Sequence, residues 1–121
     1  MATAGRYSFV IEKGASFLRT VTWYTDDAAT VPQNLTGYTA RMKVKTKDLS
    51  SVILDSAAGD ITLTLGGAAG TVEVGVAAAK TTTLAPTSVD GLAYDLELVD
   101  GSGFVTRLLQ GGVTVSAEVT A

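Results

Sequence analysis

In the stretch Tyr38-Thr39-Ala40-Arg41-Met42-Lys43-Val44-Lys45-Thr46-Lys47, the odd-numbered positions carry one threonine and four cations, and the even-numbered positions carry uncharged side chains. Because successive side chains of a β-strand point to opposite faces of its sheet, this pattern predicts a strand over 38–47 with one buried and one exposed face. The segment from Leu92 to Val99 has the same pattern and predicts a second such strand. The side chains of these two strands that are expected to face the core are Ala40, Met42, Val44, Tyr94, Leu96 and Leu98.

The composition extends this pattern to the whole chain, which has 18 threonines, 14 valines and 13 glycines. β-Branched residues favour strands, and glycines favour the turns between them. Further strands are predicted over 7–11, 17–24, 52–54, 61–65, 71–76, 104–109 and 113–119, with one short helical turn within 77–84. In the strand over 17–24, Val21 and Trp23 are expected in the core. About eight or nine short strands are typical of an antiparallel β-sandwich or a small barrel, and we favour the sandwich.

Chain length and composition limit the classes of function. With 121 residues, the chain is expected to form a single domain over 1–121. It has no cysteine and no histidine, which excludes disulfides, thiolate metal sites, cysteine nucleophiles and imidazole bases. A net charge of −3 gives no overall attraction for nucleic acid, and no apolar run approaches the ~18 residues of a membrane span. The sequence therefore predicts a protein that is not an enzyme, needs no cofactor, and has neither nucleic acid nor a membrane as its partner.

From Arg41 onwards, every second position of the strand over 38–47 carries a cation that is expected on the outward face. These four candidate interface residues are Arg41, Lys43, Lys45 and Lys47. Asp95 and Glu97 alternate in the same way on the strand from Leu92 to Val99, so cross-strand pairing would neutralise part of the row. Such exposed pairs contribute only ~0.2–1 kcal/mol each and imply no ligand. We favour a solvated face or a protein contact over nucleic acid, because the aromatic content is low for single-strand binding.

Three other segments bring glycines or carboxylates together. Residues 66–70 are glycine-rich but lack the Lys and Ser or Thr of a phosphate loop, so a hairpin turn is predicted. Asp26-Asp27 and the segment 100–103 lack the ligand spacing of a calcium loop, so they are interpreted as turns and no metal site is predicted. Residues 1–6 lack the apolar core of a signal peptide, which predicts synthesis in a cytoplasm.

Four segments, 9–17, 34–42, 94–98 and 113–120, together resemble small β-sandwich virion proteins of tailed bacteriophages. That group is similar to the N-terminal domain of the phage baseplate upper protein family. The resemblance is carried by a strand break of the form Ile11-x-x-Gly14 and a strand start of the form Leu35-Thr36-Gly37-Tyr38. It covers nearly the whole chain, in order. It implies an immunoglobulin-like sandwich and carries over no catalytic residue.

The resemblance also implies a function and a location. The implied protein is a structural component of the virion, made in the host bacterial cytoplasm, that contacts other proteins of the tail, baseplate or capsid. An adaptor or accessory protein of the tail or baseplate is the leading expectation. A decoration protein that cements the capsid, and a sandwich module that binds a receptor or a sugar, are the alternatives. A symmetric homo-oligomeric arrangement in the particle is expected.

Overall fold

The computed structural model of the protein describes residues 5–26, 28 and 30–119. Residues 1–4 and 120–121 of the predicted domain over 1–121, and Asp27 of the predicted Asp26-Asp27 turn, lie outside the described residues. The strands are β1 (Gly5–Arg6), β2 (Phe9–Glu12), β3 (Phe17–Thr22), β4 (Thr39–Thr46), β5 (Val52–Asp55), β6 (Thr62–Leu65), β7 (Thr71–Val76), β8 (Leu92–Val99) and β9 (Val105–Ser116). One α-helix, α1 (Ala78–Thr81), follows β7, and two single 3-10 turns flank β6. No helix in the described part of the chain is long and apolar enough to cross a membrane.

The strands form two sheets, which confirms the prediction of an all-β sandwich. The six-stranded sheet has the order β1-β9-β8-β4-β5, with β2 also pairing with β9, and the three-stranded sheet has the order β3-β7-β6. In variable-type immunoglobulin domains, strands G-F-C-C′ lie in one sheet and B-E-D in the other. The order β9-β8-β4-β5 opposite β3-β7-β6 matches that arrangement, so the strand order is immunoglobulin-like.

The N-terminal strands depart from the predicted antiparallel pairing. β1 and β2 run parallel to β9, whereas the other paired strands are antiparallel. In this register Phe9 lies beside Val113 and Ile11 beside Val115. Phe9 and Ile11 are both buried, while the alternate residues Val10 and Glu12 are exposed. The N-terminal strands β1 and β2 therefore close one edge of the six-stranded sheet, and β2 supplies two core side chains.

Both sheets bury one face in a shared hydrophobic core. Of the six side chains predicted to face it from β4 and β8, five are buried and Ala40 is partly buried. The opposite sheet contributes the buried side chains Phe17, Val72, Val74 and Val76. Trp23 and Val21, predicted as core residues, lie partly buried at its margin. Trp23 follows the last residue of β3, Thr22, and its ring lies edge-on to the Tyr38 ring, with centroids 6.2 Å apart.

The expectation of separate strands over 104–109 and 113–119 is wrong, because β9 is one strand that passes through Gly111 and Gly112. A Cβ atom at Gly111 would lie 2.3 Å from the backbone oxygen of Tyr7, and a Cβ atom at Gly112 would lie 2.4 Å from Oδ1 of Asp90. The two glycines therefore admit close neighbours to the sheet instead of ending the strand.

Tyr94 holds the N-terminal segment at the same point. Its hydroxyl donates a hydrogen bond to the backbone oxygen of Tyr7 at 2.5 Å, and the Tyr7 N–H donates to the backbone oxygen of Gln110 at 3.1 Å. The Tyr94 ring is buried against Phe9, with centroids 4.7 Å apart. Burial, with a smaller contribution from the nearby Tyr7 hydroxyl, raises the pKa of Tyr94 well above its ordinary value.

Gly111→Ala is expected to lower the free energy of unfolding by about 1–3 kcal/mol, because the new methyl group must displace the backbone at Tyr7. Gly101→Ala is the matched control: the nearest atom to its Cβ would be the Gly37 oxygen at 3.9 Å, so a change within about 0.5 kcal/mol is expected. Urea unfolding followed by tryptophan fluorescence measures both variants. Equal, small effects would contradict the close approach at Gly111.

The raised pKa of Tyr94 predicts a loss of stability at high pH. The folded protein keeps a proton that the unfolded chain releases near pH 10, so this contribution is full below about pH 10 and is lost as the pH rises towards the folded pKa. The limiting slope is about 1.4 kcal/mol per pH unit. Urea unfolding of wild type and Tyr94→Phe should give a stability difference that shrinks above about pH 10. A difference independent of pH would show that Tyr94 ionises equally in both states.

Candidate docking face

The predicted cation row lies on the outward side of the six-stranded sheet. Arg41, Lys43 and Lys45 alternate along β4 with the buried Met42 and Val44, and Lys47 follows the strand directly. All four candidate residues line one shallow concavity of about 890 Å³. We call this surface the outer face and define it by its charged residues. They are the cations Arg6, Arg41, Lys43, Lys45, Lys47 and Arg107 and the carboxylates Asp55, Asp90, Asp95 and Glu97.

One end of the outer face is neutralised by ion pairs across the strands. Arg41 donates to Glu97 at 2.7 Å, which is a cross-strand ion pair of the predicted kind. Lys43 and Asp95 do not pair with each other. Although the two residues lie opposite each other, Asp95 binds Arg107 of β9 at 3.3 Å, and Lys43 reaches Asp55 of β5 at 3.9 Å. Every carboxylate at this end therefore has a cation within salt-bridge distance.

The other end of the row has no such neutralisation. Lys45 lies opposite Ala93 on β8 and Val52 on β5, neither of which carries a charge. Among the described residues, neither Lys45 nor Lys47 has a carboxylate within salt-bridge distance. Ion pairs therefore neutralise Arg41 and Lys43, and Lys45 and Lys47 have no carboxylate partner within the described residues.

Asp48 follows Lys47 in sequence, and its carboxylate is hydrogen-bonded within the turn. Its carboxylate accepts hydrogen bonds from the Thr46 hydroxyl at 2.7 Å and from the Ser50 hydroxyl and N–H at 2.7 and 3.0 Å. These bonds, chiefly that of the Ser50 hydroxyl, lower the pKa of Asp48 to about 2. The turn between β4 and β5 therefore satisfies its own carboxylate and leaves the neighbouring lysine facing outward.

Arg6 is the cation that the sequence argument missed. It pairs in register with Gln110 of β9, which in turn lies opposite Asp95, so Arg6 extends the outer face to its far edge. No described carboxylate lies within salt-bridge distance of Arg6. Side chains alternate along the N-terminal segment, so that Phe9 and Ile11 are buried and Arg6 lies on the outward side. This alternation is the feature of the sequence from which the position of Arg6 could have been predicted.

Charge is strongly segregated onto this face. It holds six of the nine lysines and arginines but only four of the eleven aspartates and glutamates that the structure describes. The outer face therefore has a net charge of +2 in a protein whose net charge is −3. A local field of this kind steers association with acidic surfaces and depends on salt.

In the two turns that were considered as metal sites, the aspartate side-chain oxygens accept hydrogen bonds from residues of the same turn. Asp100 accepts hydrogen bonds from Ser102 N–H at 2.9 Å, the Ser102 hydroxyl at 2.8 Å and Phe104 N–H at 2.9 Å. The Ser102 hydroxyl is the largest cause of a lowered pKa at Asp100. Asp26 is bonded in the same way by Thr30 and by the N–H of Val31. Among the residues that the structure describes, no group of three or more potential metal ligands occurs.

Comparison with known proteins gives no relative: no family model and no curated protein matches the sequence.

Ser50→Ala is expected to raise the pKa of Asp48 from about 2 towards its ordinary value of 3.8, because the hydroxyl makes the largest contribution to the shift. Ser51→Ala is the control, since the hydrogen bonds of Ser51 in the turn come from its backbone N–H and backbone oxygen. Carboxyl chemical shifts followed by NMR during an acid titration measure both variants. An unchanged pKa in Ser50→Ala would mean that another group holds the carboxylate.

Proposed function

We propose that the protein is a non-enzymatic structural component of a tailed bacteriophage virion. In this proposal it is an adaptor or accessory protein of the tail or baseplate, and the outer face docks it onto another virion protein. The virion setting is supported by the four segments that resemble phage virion proteins. The docking role rests on one observation, the concentration of six of nine cations on a single sheet face.

The distribution of charge favours a partner of a different kind over face-to-face pairing of two copies. Two outer faces brought together would oppose a net charge of +2 with the same net charge. Like charges in apposition oppose association, whereas an acidic surface would be attracted. Face-to-face contact between two outer faces is therefore disfavoured, and the proposal assigns the outer face to a neighbouring protein.

A decoration protein of the capsid is the alternative within the virion, since the same face would dock onto a capsid protein. A sugar-binding module is less well supported. Sugar sites commonly use an exposed aromatic ring as a platform, and Trp23 is instead partly buried at the core margin with its ring against Tyr38.

Lys45→Glu combined with Lys47→Glu is expected to leave the domain folded and to reduce its copy number in purified particles several-fold. The reason is that both lysines are unpaired among the described residues and their reversal removes the attraction for an acidic partner. Quantitative mass spectrometry of particles assembled at low and at high salt measures the copy number.

Arg19→Glu combined with Lys80→Glu is the control, because it makes the same change in net charge outside the outer face. Equal copy numbers for Lys45→Glu with Lys47→Glu and for wild type, at both salt concentrations, would show that attachment runs through another surface. Absence of the wild-type protein from purified particles would overturn the proposed function itself.

A further inference from the structure

We infer that the unpaired end of the outer face is a cleft that binds an extended acidic segment of a partner protein. This inference rests on the docking role proposed for the outer face and names the subsite and the chemistry of its partner. We call the subsite the acidic-segment cleft and define it by the cations Arg6, Lys45 and Lys47, the floor residues Ala93 and Gly112, and the rim residues Tyr7 and Leu49.

The floor of the cleft is low because two adjacent strands carry their smallest outward side chains there. Ala93 of β8 and Gly112 of β9 are paired in register, and Lys45 of β4 lies beside Ala93. In the next row, Gln110 and Asp95 stand in the corresponding positions. Three strand spacings separate β4 from β1, which is about 14 Å. Because Arg6 pairs with Gln110, it stands one row away from Lys45, and the two cations lie diagonally across a trough of about that width, which accommodates one extended chain.

The charges of the cleft lack internal partners. Arg6, Lys45 and Lys47 have no carboxylate within salt-bridge distance among the described residues. The one carboxylate that borders the floor is Asp90, whose side chain lies over Gly112 and whose N–H donates to the Thr114 hydroxyl at 2.8 Å. The cleft therefore keeps a net charge of +2, in contrast to the ion-paired end of the same face.

The rim of the cleft is apolar. Leu49 is 61% exposed, and Tyr7 is 45% exposed with its ring edge-on to that of Phe9, the two centroids 5.1 Å apart. A tyrosine and an arginine beside an apolar side chain are the residue types that contribute most at protein interfaces. A partner segment that combines carboxylates with an apolar side chain would use both features.

Nucleic acid and a second copy fit the cleft less well. A phosphate backbone carries a charge at every nucleotide and would bring one of these charges to Asp90, and of the two rim residues Tyr7 alone has a ring for stacking on a base. A second copy docked face to face would bring a second set of unpaired cations against the first. A peptide segment that alternates acidic and uncharged residues can place carboxylates at the cations and an uncharged residue beside Asp90, and it brings no second set of cations to the cleft.

The test measures binding of a fluorescein-labelled peptide of repeated Glu-Leu-Glu units to the full chain by fluorescence anisotropy. Arg6→Gln combined with Lys45→Gln removes two cations of the cleft, and Arg41→Gln combined with Lys43→Gln removes two cations of the ion-paired end. The two variants have the same net charge. The first is expected to weaken binding about tenfold and the second less than about twofold, because Arg41 and Lys43 are already neutralised.

A second pair of variants tests the floor. Ala93→Glu places a carboxylate between the cations and is expected to abolish binding, whereas Ala93→Ser keeps the floor small and is expected to bind as wild type does. Thermal unfolding of each variant confirms that it is folded. The same peptide with Gln in place of Glu is expected not to bind.

Three results would overturn the inference. Equal weakening by the two double variants would mean that net charge alone attracts the peptide. Tighter binding of a thymidine oligonucleotide than of the peptide would indicate a nucleic-acid site. Self-association that Arg6→Gln with Lys45→Gln abolishes would indicate a second copy as the occupant. Failure of the proposed function is distinguishable, because the peptide can bind a protein that is absent from particles, and the protein can enter particles without binding the peptide.

Discussion

The approach of the Tyr7 backbone to Gly111 is the contact on which the rest of the structure depends. At this point the N-terminal segment crosses onto β9 so closely that a Cβ atom at residue 111 would lie 2.3 Å from the Tyr7 oxygen. Tyr94, paired in register with Gly111, donates its hydroxyl to that oxygen from the core side. Once the segment is held there, parallel pairing with β9 follows on both sides of the crossing, and Phe9 enters the core against the Tyr94 ring.

The same contact couples the core to the outer face. Alternation along the N-terminal segment sends Phe9 inward and Arg6 outward, so the anchor that buries one positions the other. Gly112, the next residue of β9, leaves room for the Asp90 side chain and keeps the floor of the acidic-segment cleft low. A pair of glycines inside a strand weakens the strand in isolation. Here that cost is offset by two close contacts, one structural and one that shapes the proposed docking surface.

Alternation alone predicted the large-scale features. It identified β4 and β8, their buried sides and the cation row, because the period of two follows from strand geometry whatever the neighbours are. The partners of Lys43 and Asp95 did not follow, since exposed ion pairs differ by less than ~1 kcal/mol and Arg107 lies within reach of Asp95. Gly111 and Gly112 were interpreted as the end of a strand because their role is defined by Tyr7 and Asp90, which are distant in sequence. Arg6 was missed because its place on the outer face depends on the pairing of β1 with β9, which is also distant in sequence.

The net charge of the chain is a poor guide to its partner, because screening makes electrostatics local. At physiological ionic strength the Debye length is ~8 Å, and stacked sheets already lie ~10 Å apart. A molecule at the outer face therefore responds to the net charge of +2 beneath it and hardly to Glu73, the charged residue at the centre of β7 in the other sheet. Seven of the eleven described carboxylates lie outside the outer face, and they contribute most of the acidic character of the chain. An overall charge of −3 is thus compatible with a surface that selects acidic partners, and the acidic remainder of the molecule disfavours their binding elsewhere.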